Sequence, residues 1–354
     1  MRIGIVAPPW LPVPPTSYGG IEAMIDGLAR GLSHMGHDVR LFTVAVSTCP
    51  VRRLALFGEA QDDMGQALTE AAHVAAAYEA LQDVDVIHDH TLLGPLVGPL
   101  TIDHAGAAPG PPVVLTHHNP FTPEAARVLS VVARRATVVA VSHAHARSAH
   151  GVPVGAVVHH GVDVKRYHPR PSAEHGYLLF LGRMSPDKGV HVAVRVAART
   201  GRQLVIATKM RQPEEVAYYE REVAPLLGPG AERPEEATLE EATALLAGAS
   251  ALLNPIAWPE PFGMVMIEAL ASGTPVIAFP HGAAPEIVDH GRTGFLCGGE
   301  DAMVEAVRRI DELDRGDCRI AAERRFSIER MARDYLGLYL RVQRAAHHDP
   351  ALLP

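Results

Sequence analysis

Short apolar, β-branched runs alternate along the chain with longer stretches of helical periodicity. Arg2–Ala7 is such a run and ends in Pro8-Pro9. Ile21–Met35 has helical periodicity and stops at Gly36, a residue suited to the position just past a helix end. Val39–Thr43 predicts a second strand, and the alanine-rich Gln61–Leu81 a second helix. Val84–His88, Val113–His117, Val138–Val141 and Ala156–Val158 read as further strands. These runs are continuously apolar rather than alternating, which suits parallel strands covered on both faces. The pattern breaks at His168–Gly176, where two prolines and a polar cluster predict a linker. It resumes with strands at Tyr177–Leu181, Leu204–Ala207, Ala251–Leu253 and Pro275–Phe279. Helices are expected to begin near Asp187 and to occupy Glu214–Leu226, Gly263–Ala271 and Ile328–Arg344. The expectation is an α/β chain with domains at 1–168 and 169–318 and C-terminal helices at 319–354. Two doubly wound domains direct their strand ends toward a shared cleft, where ligands bind.

Composition narrows the class. The 354 residues suffice for two domains, and 47% apolar with 20% charged residues excludes a disordered chain. The formal charge is −8, from 32 basic and 40 acidic residues, which argues against a nucleic-acid partner. Cys49, Cys297 and Cys318 are widely spaced without a CxxC, so neither a disulfide framework nor a cysteine zinc site is indicated. No apolar run reaches the length of about 18 residues that a membrane helix needs. The opening MRIGIVAPPW lacks the core of a signal peptide. A cytoplasmic protein is therefore expected, with membrane contact at most peripheral, at the inner face. Only three basic residues are lysines, Lys165, Lys188 and Lys209, while histidines number 20. Codon usage in a GC-rich genome accounts for both, yet it makes each remaining lysine worth locating.

Four segments carry candidate chemistry. In Pro259–Leu270 (PEPFGMVMIEAL), Pro261 and Gly263 precede an apolar helix whose free N–H groups suit a phosphate. Glu260 precedes that helix and Glu268 lies inside it, so they face different parts of one ligand. The plainer reading is two surface glutamates beside a core helix. In Leu181–Gly189 (LGRMSPDKG), Arg183 and Lys188 project from a loop after a strand and suit a diphosphate. This is not a Walker loop, because no Gly-Lys-Ser/Thr occurs. In Tyr18–Glu22 (YGGIE), Gly19 and Gly20 permit close backbone approach to a ligand or simply make a turn. Alternation places His88 and His90 on one face of a strand end, and His117-His118 closes another strand. Most of the other histidines are expected to be surface or lining residues.

Together these residues resemble the retaining glycosyltransferases of family 4. The likeness rests on the Glu-x7-Glu pair in EPFGMVMIEALASGTPVIA, on LGRMSPDKG, YGGIE and HHGVD, and on GFLCG and FSIERMARDYLGLY. It covers nearly the whole chain in order. It implies a GT-B fold: two Rossmann-like doubly wound β/α/β domains facing a central cleft, the last helix crossing back to the N-terminal domain. Arg183 and Lys188 would hold the donor diphosphate. The backbone of Phe262, Gly263, Met264 and Val265 would meet phosphate and sugar. Glu260 would contact donor-sugar hydroxyls, Glu268 the ribose, Gly19 and Gly20 the diphosphate, and His118 the transferred sugar. The implied donor is a nucleoside diphosphate sugar, such as a UDP- or GDP-sugar, and no metal is required. The acceptor would be a small molecule, a glycan or a lipid-linked sugar.

Two departures stand out. His160-Gly161-Val162-Asp163 replaces the usual Asn-Gly-Val-Asp. Gly228–Glu241 is acidic and proline-bearing where the family has a strand, a Gly-Glu turn and a Lys-bearing helix. That neighbourhood holds the base, so the base stays open. Two other readings are a non-catalytic sugar-nucleotide-binding protein and a metal-dependent hydrolase built on His88, His90 and His117 or His118.

Overall fold

The computed structural model describes residues 1–16, 19–102, 110–170, 176–227, 234 and 236–348. The chain divides into two compact units, Met1–Gly161 with Ile328–Pro354, and Val162–Ser327. Both are parallel α/β sheets of the Rossmann-like kind.

Unit 1 has seven strands: β1 Arg2–Val6, β2 Asp38–Thr43, β3 Arg52–Ala55, β4 Val86–Asp89, β5 Val113–Thr116, β6 Ala136–Ala140 and β7 Val154–Val157. Their order is β3-β2-β1-β4-β5-β6-β7. The inner strands of the sheet are buried on both faces, which is why they read as apolar runs. Ile3, Ile5, Leu41, Val86 and Val114 pack on one side with Met24, Ile25 and Leu28 of helix Gly20–His34. Val6, Ile87, Leu115 and Val138 pack on the other with Val74, Tyr78 and Leu129. Gly36 takes φ +85° just beyond the first helix. The expected helix at Gln61–Leu81 forms only over Ala67–Ala80.

The final helix, Ile328–His348, belongs to unit 1. Gly27 and Gly31 lie one turn apart on the first helix and admit it closely. A Cβ on Gly27 would come within 2.7 Å of Ile328 Cδ1, and one on Gly31 within 2.8 Å of Ile328 Cγ2. Met331, Ala332, Tyr335, Leu338 and Tyr339 thereby complete the core on that face.

Unit 2 has five strands: β8 Leu178–Arg183, β9 Leu204–Lys209, β10 Ala251–Asn254, β11 Val276–Ala278 and β12 Gly294–Leu296. Their order is β12-β11-β10-β8-β9. Phe180, Leu253 and Ile277 bury against Val190 and Val194 of helix Val190–Thr200 and Met303 and Val307 of helix Glu300–Arg308.

The unit boundaries differ from the expected 168 and 318. Hydrogen bonds explain the shift. Val162 N–H donates to Phe326 O at 2.8 Å. The Arg319 guanidinium donates to the carbonyls of Val164, Tyr167 and Ala271, each at 2.8 Å. Arg315 donates to the carbonyls of Arg170, Ala249 and Ala247. These arginines, on helix Arg315–Arg325, tie residues 162–170 to unit 2. Within the expected linker, residues 171–175 lie outside the described residues, as does Tyr18 of the YGGIE segment.

Candidate functional site

In an open parallel sheet, ligands bind at the C-terminal strand ends where the strand order reverses. In unit 2 that point lies between β8 and β10. The loop after β8 carries Arg183 and, in the turn Pro186–Lys188, Lys188. The loop after β10 carries Trp258 and Glu260 and leads into helix Met264–Ala271. Ala257 N–H donates to Asp187 O at 3.2 Å, which joins the two loops.

Lys188 Nζ donates to Glu260 Oε1 in an ion pair whose side chains are 12% and 17% exposed. Such a largely desolvated pair is stronger than a surface pair, yet retains some access for a ligand. Glu260 Oε2 is buried without a hydrogen-bond partner. Ser185 Oγ and Trp258 Nε1, in the same two loops, are buried and unpartnered too. Buried polar atoms are ordinarily satisfied, so three orphans in adjoining loops make this a candidate polar ligand site. Lys188 Nζ also stands 5.8 Å from the centre of the Trp258 ring. A third loop supports Glu260. Ala283 N–H donates to Glu260 O at 3.1 Å, and Gly282, at φ +54°, lies so close that any Cβ would strike the Glu260 backbone.

Phe262 is buried, its ring against Phe326. Gly263 immediately precedes the helix, and Met264 and Val265 form its first turn, where backbone N–H groups lack helical acceptors. Glu268, further along, is hydrogen-bonded to the Tyr167 hydroxyl. Burial pushes its carboxyl up to about 7, and the Tyr167 bond pulls the other way. Arg183 is exposed at the end of β8, in register with Lys209 on β9. In the region flagged as a departure, residues 228–233 and 235 lie outside the described residues. Beyond them Thr238 and Glu241 form a reciprocal cap on helix Leu239–Gly248.

In unit 1 the strand order reverses between β1 and β4. Gly19 and Gly20 start the helix that follows β1, His90 follows β4, and His118 lies just past β5. All four sit at the same end of the parallel sheet. His88 is fully buried: Tyr339 OH lies 2.6 Å from its Nδ1, and Thr116 Oγ1 lies 2.8 Å from its Nε2. Thr116 Oγ1 in turn meets Tyr335 OH at 2.8 Å. His90 Nδ1 and His118 Nε2 are hydrogen-bonded to each other at 2.9 Å. The rings of His88, His90, His118 and His160 follow one another at centroid distances of 4.1, 5.2 and 5.3 Å. Thus His160, one of the departures, extends this stack. Burial pushes all four imidazoles below their ordinary range, to about 3 for His88 and His160. All four are neutral at pH 7.

His117 points elsewhere, against Phe121 and His145. Among the described residues, no three of His88, His90, His117 and His118 bring ligand atoms close enough together to share a metal. Both nitrogens of His88 are engaged, and His90 and His118 bond to each other. Ser185 and Trp258 are not singled out by the sequence as candidates. Their signal, an unsatisfied buried polar atom, exists only in three dimensions. No helix among the described residues is long and apolar enough to cross a membrane.

Residues 18–166 match the family model described as Glycosyltransferase Family 4, and residues 175–312 the model described as Glycosyl transferases group 1. The chain is 29% identical to the D-inositol 3-phosphate glycosyltransferase of a Nocardioides species, with 92% of this chain and 86% of that protein covered. It resembles the crystal structure of AviGT4, a glycosyltransferase involved in avilamycin A biosynthesis. There the identity is 27% and the TM-score 0.74, covering 98% of this chain and 99% of that one. The fold is also that of Anabaena HepE, solved in complex with UDP and glucose, at 19% identity and TM-score 0.74 over 96% and 99% of the two chains.

Proposed function

Since the chain is a GT-B glycosyltransferase related to family 4 and group 1, moving a sugar from a nucleoside diphosphate donor to an acceptor, we propose that it retains anomeric configuration and needs no metal. The observation that carries this reading is the Lys188–Glu260 pair, with unpartnered polar atoms around it, at the strand-order reversal of unit 2. Arg183 and Lys188 are the cations for the diphosphate. They offset the charge that develops on the leaving group, a task otherwise done by a divalent ion. Glu260 has one oxygen on Lys188 and one left for a sugar hydroxyl. The backbone of Phe262–Val265 receives phosphate at the helix start. Glu268, held by Tyr167, takes the ribose.

In unit 1, Gly19 and Gly20 are assigned to the diphosphate and His118 to the transferred sugar. A neutral imidazole exchanges hydrogen bonds with a sugar hydroxyl without competing for the diphosphate. No side chain here is placed as an enzyme nucleophile. Retention is therefore read as front-face attack, the leaving phosphate accepting the acceptor's proton. The acceptor is read as a small molecule.

The test is a thermal-shift screen with UDP-, GDP-, ADP- and dTDP-sugars in EDTA, followed by NMR of the product's anomeric centre. One nucleotide sugar should raise Tm, and turnover should persist in chelator with the donor's configuration kept. An inverted product would overturn retention, and activity restored only by added metal would overturn metal independence. Donor binding without transfer or hydrolysis would favour the sugar-nucleotide-binding alternative.

A further inference from the structure

His118 is held more tightly than a lone contact residue needs. Its Nε2 bonds His90 Nδ1 at 2.9 Å, and its ring lies between those of His90 and His160 at 5.2 and 5.3 Å. Behind His90 stands His88, at 4.1 Å between ring centroids, pinned at both nitrogens by Tyr339 and Thr116. On the far side, Arg330 donates to the His160 carbonyl at 2.6 Å. Two polar atoms of the central pair have no partner, His90 Nε2 and His118 Nδ1.

Neutral imidazole carries one N–H, so the His90–His118 bond admits only two arrangements. If His90 Nδ1–H donates, His118 Nε2 accepts and the proton of His118 sits on Nδ1. If His118 Nε2–H donates, its Nδ1 is a bare acceptor. The His90 bond therefore fixes the ring's orientation and ties what its free nitrogen offers to the proton position on His90. Carbonyl and carboxylate partners impose one tautomer on a histidine, whereas a second histidine lets both shift together.

We propose that His90 is a positioning residue for the transfer reaction, holding His118 so that its Nδ1 meets a hydroxyl of the donor sugar. The proposal rests on the reading of His118 as the residue beside the transferred sugar. His90 itself need touch no substrate. Its effect is to keep one ring orientation, and a hydrogen bond misplaced by an ångström costs up to about 10²-fold in rate.

Substitutions at His90 separate its bond from its packing. His90→Phe keeps an aromatic ring between His88 and His118 but removes the hydrogen bond. The Asn amide nitrogen overlays imidazole Nδ1, and the Gln amide nitrogen overlays Nε2. Because His118 is bonded through Nδ1 of His90, His90→Asn should restore activity and His90→Gln should not. The assay uses whichever of UDP-, GDP-, ADP- or dTDP-glucose or -mannose the thermal-shift screen selects. The expected result is a kcat lowered by about tenfold or more in His90→Phe and His90→Gln, near wild type in His90→Asn, with KM for the donor little changed. Two-bond 1H–15N spectra should show the His118 proton on Nδ1 in His90→Asn, whose amide N–H donates to Nε2, coupled tautomers of His90 and His118 in the wild type, and no such coupling in His90→Gln.

A double-mutant cycle isolates the proposal from the reading beneath it. His118→Ala should lower kcat, and adding His90→Gln to it should change nothing further. A normal kcat in His118→Ala would remove the reading and the proposal together. A damaged His118→Ala beside a harmless His90→Gln, or effects that multiply, would overturn the proposal alone. Equal damage from His90→Asn and His90→Gln would overturn it as well, since packing rather than the bond would then be at work. If His90→Phe fails to fold, the Asn and Gln contrast still decides.

Discussion

The two units place their candidate residues at the same topological point and fill it with opposite chemistry. Both have parallel sheets whose strand order reverses, between β1 and β4 in one and between β8 and β10 in the other. At the reversal of unit 2 stands a lysine paired with a glutamate in loops, both partly open to solvent. At the reversal of unit 1 stands a closed stack of neutral imidazoles backed by two buried tyrosines of the final helix. The position of a site thus follows from topology, while its polarity follows from what it must hold. Charge suits a diphosphate, and uncharged donors and acceptors suit a sugar hydroxyl.

The largest expected effect lies on the charged side. Lys188→Met should lower kcat/KM by about 10²-fold to 10³-fold, the loss seen when one preorganised group facing developing charge is removed. It also leaves Glu260 without its cation beside the proposed phosphate site. Steady-state kinetics on the donor selected by thermal shift check this. Near-normal turnover would break the contrast, because unit 2 would then hold the diphosphate without its central cation.

The next effect concerns pH. His73 and His145 are pushed down to about 4 by burial, and His88 and His160 to about 3, from 6.5 when exposed. Below 6.5 the unfolded chain binds more protons than the native one at each of these sites. Their stability is thus intact above pH 6.5 and is lost as pH falls, by about 1.4 kcal/mol per unit for each histidine. Asp89, raised to about 6 by burial, opposes this, since it favours the native state below that pH. It is one group against four. In unit 2, Glu268 is raised to about 7, so its stabilisation is present at acid pH and lost as pH rises through 7. Amide hydrogen exchange at pH 7.5 and 5.5, corrected for intrinsic rates, should therefore show β4 and β5 losing protection on acidification while β8 and β10 keep it. Equal losses in both units would erase the electrostatic distinction.

Much of this was legible along the chain. The buried strands were apparent because unbroken apolar runs have few other uses, and Lys188 stood out as one of three lysines, in a loop between strand and helix. Two strands escaped. β3, Arg-Arg-Leu-Ala, is a mostly exposed edge strand with no apolar run, and β12 has only three residues. The helix predicted from Gln61 starts at Ala67 because Asp62–Gly65 forms bends and a turn instead. The unit boundary escaped because arginines more than a hundred residues away bind carbonyls of 162–170, and no local composition records that. Alternation put His88 and His90 together, and their ring centroids lie 4.1 Å apart. The bond from His90 to His118 depends on β4 lying beside β5, with His88 opposite Val114, and so appears only once the sheet is assembled.

The smallest effect tests how far the neutral network is structural. Tyr339 reaches back from the final helix to His88 Nδ1, at 2.6 Å, and both groups are fully buried. Tyr339→Phe keeps the ring and its packing and leaves that nitrogen unsatisfied. An unpaired buried polar atom costs about 1–3 kcal/mol, so Tm should fall by a few degrees. Transfer should change by less than about threefold, because His118 is bonded through His90 and His88 contributes only its ring face to the stack. Circular dichroism melts and the same steady-state assay measure the two together. A kcat loss as large as that of Lys188→Met, with Tm unmoved, would mean that the hydroxyl acts on the reaction itself, and the division between a charged reacting side and a neutral holding side would fail.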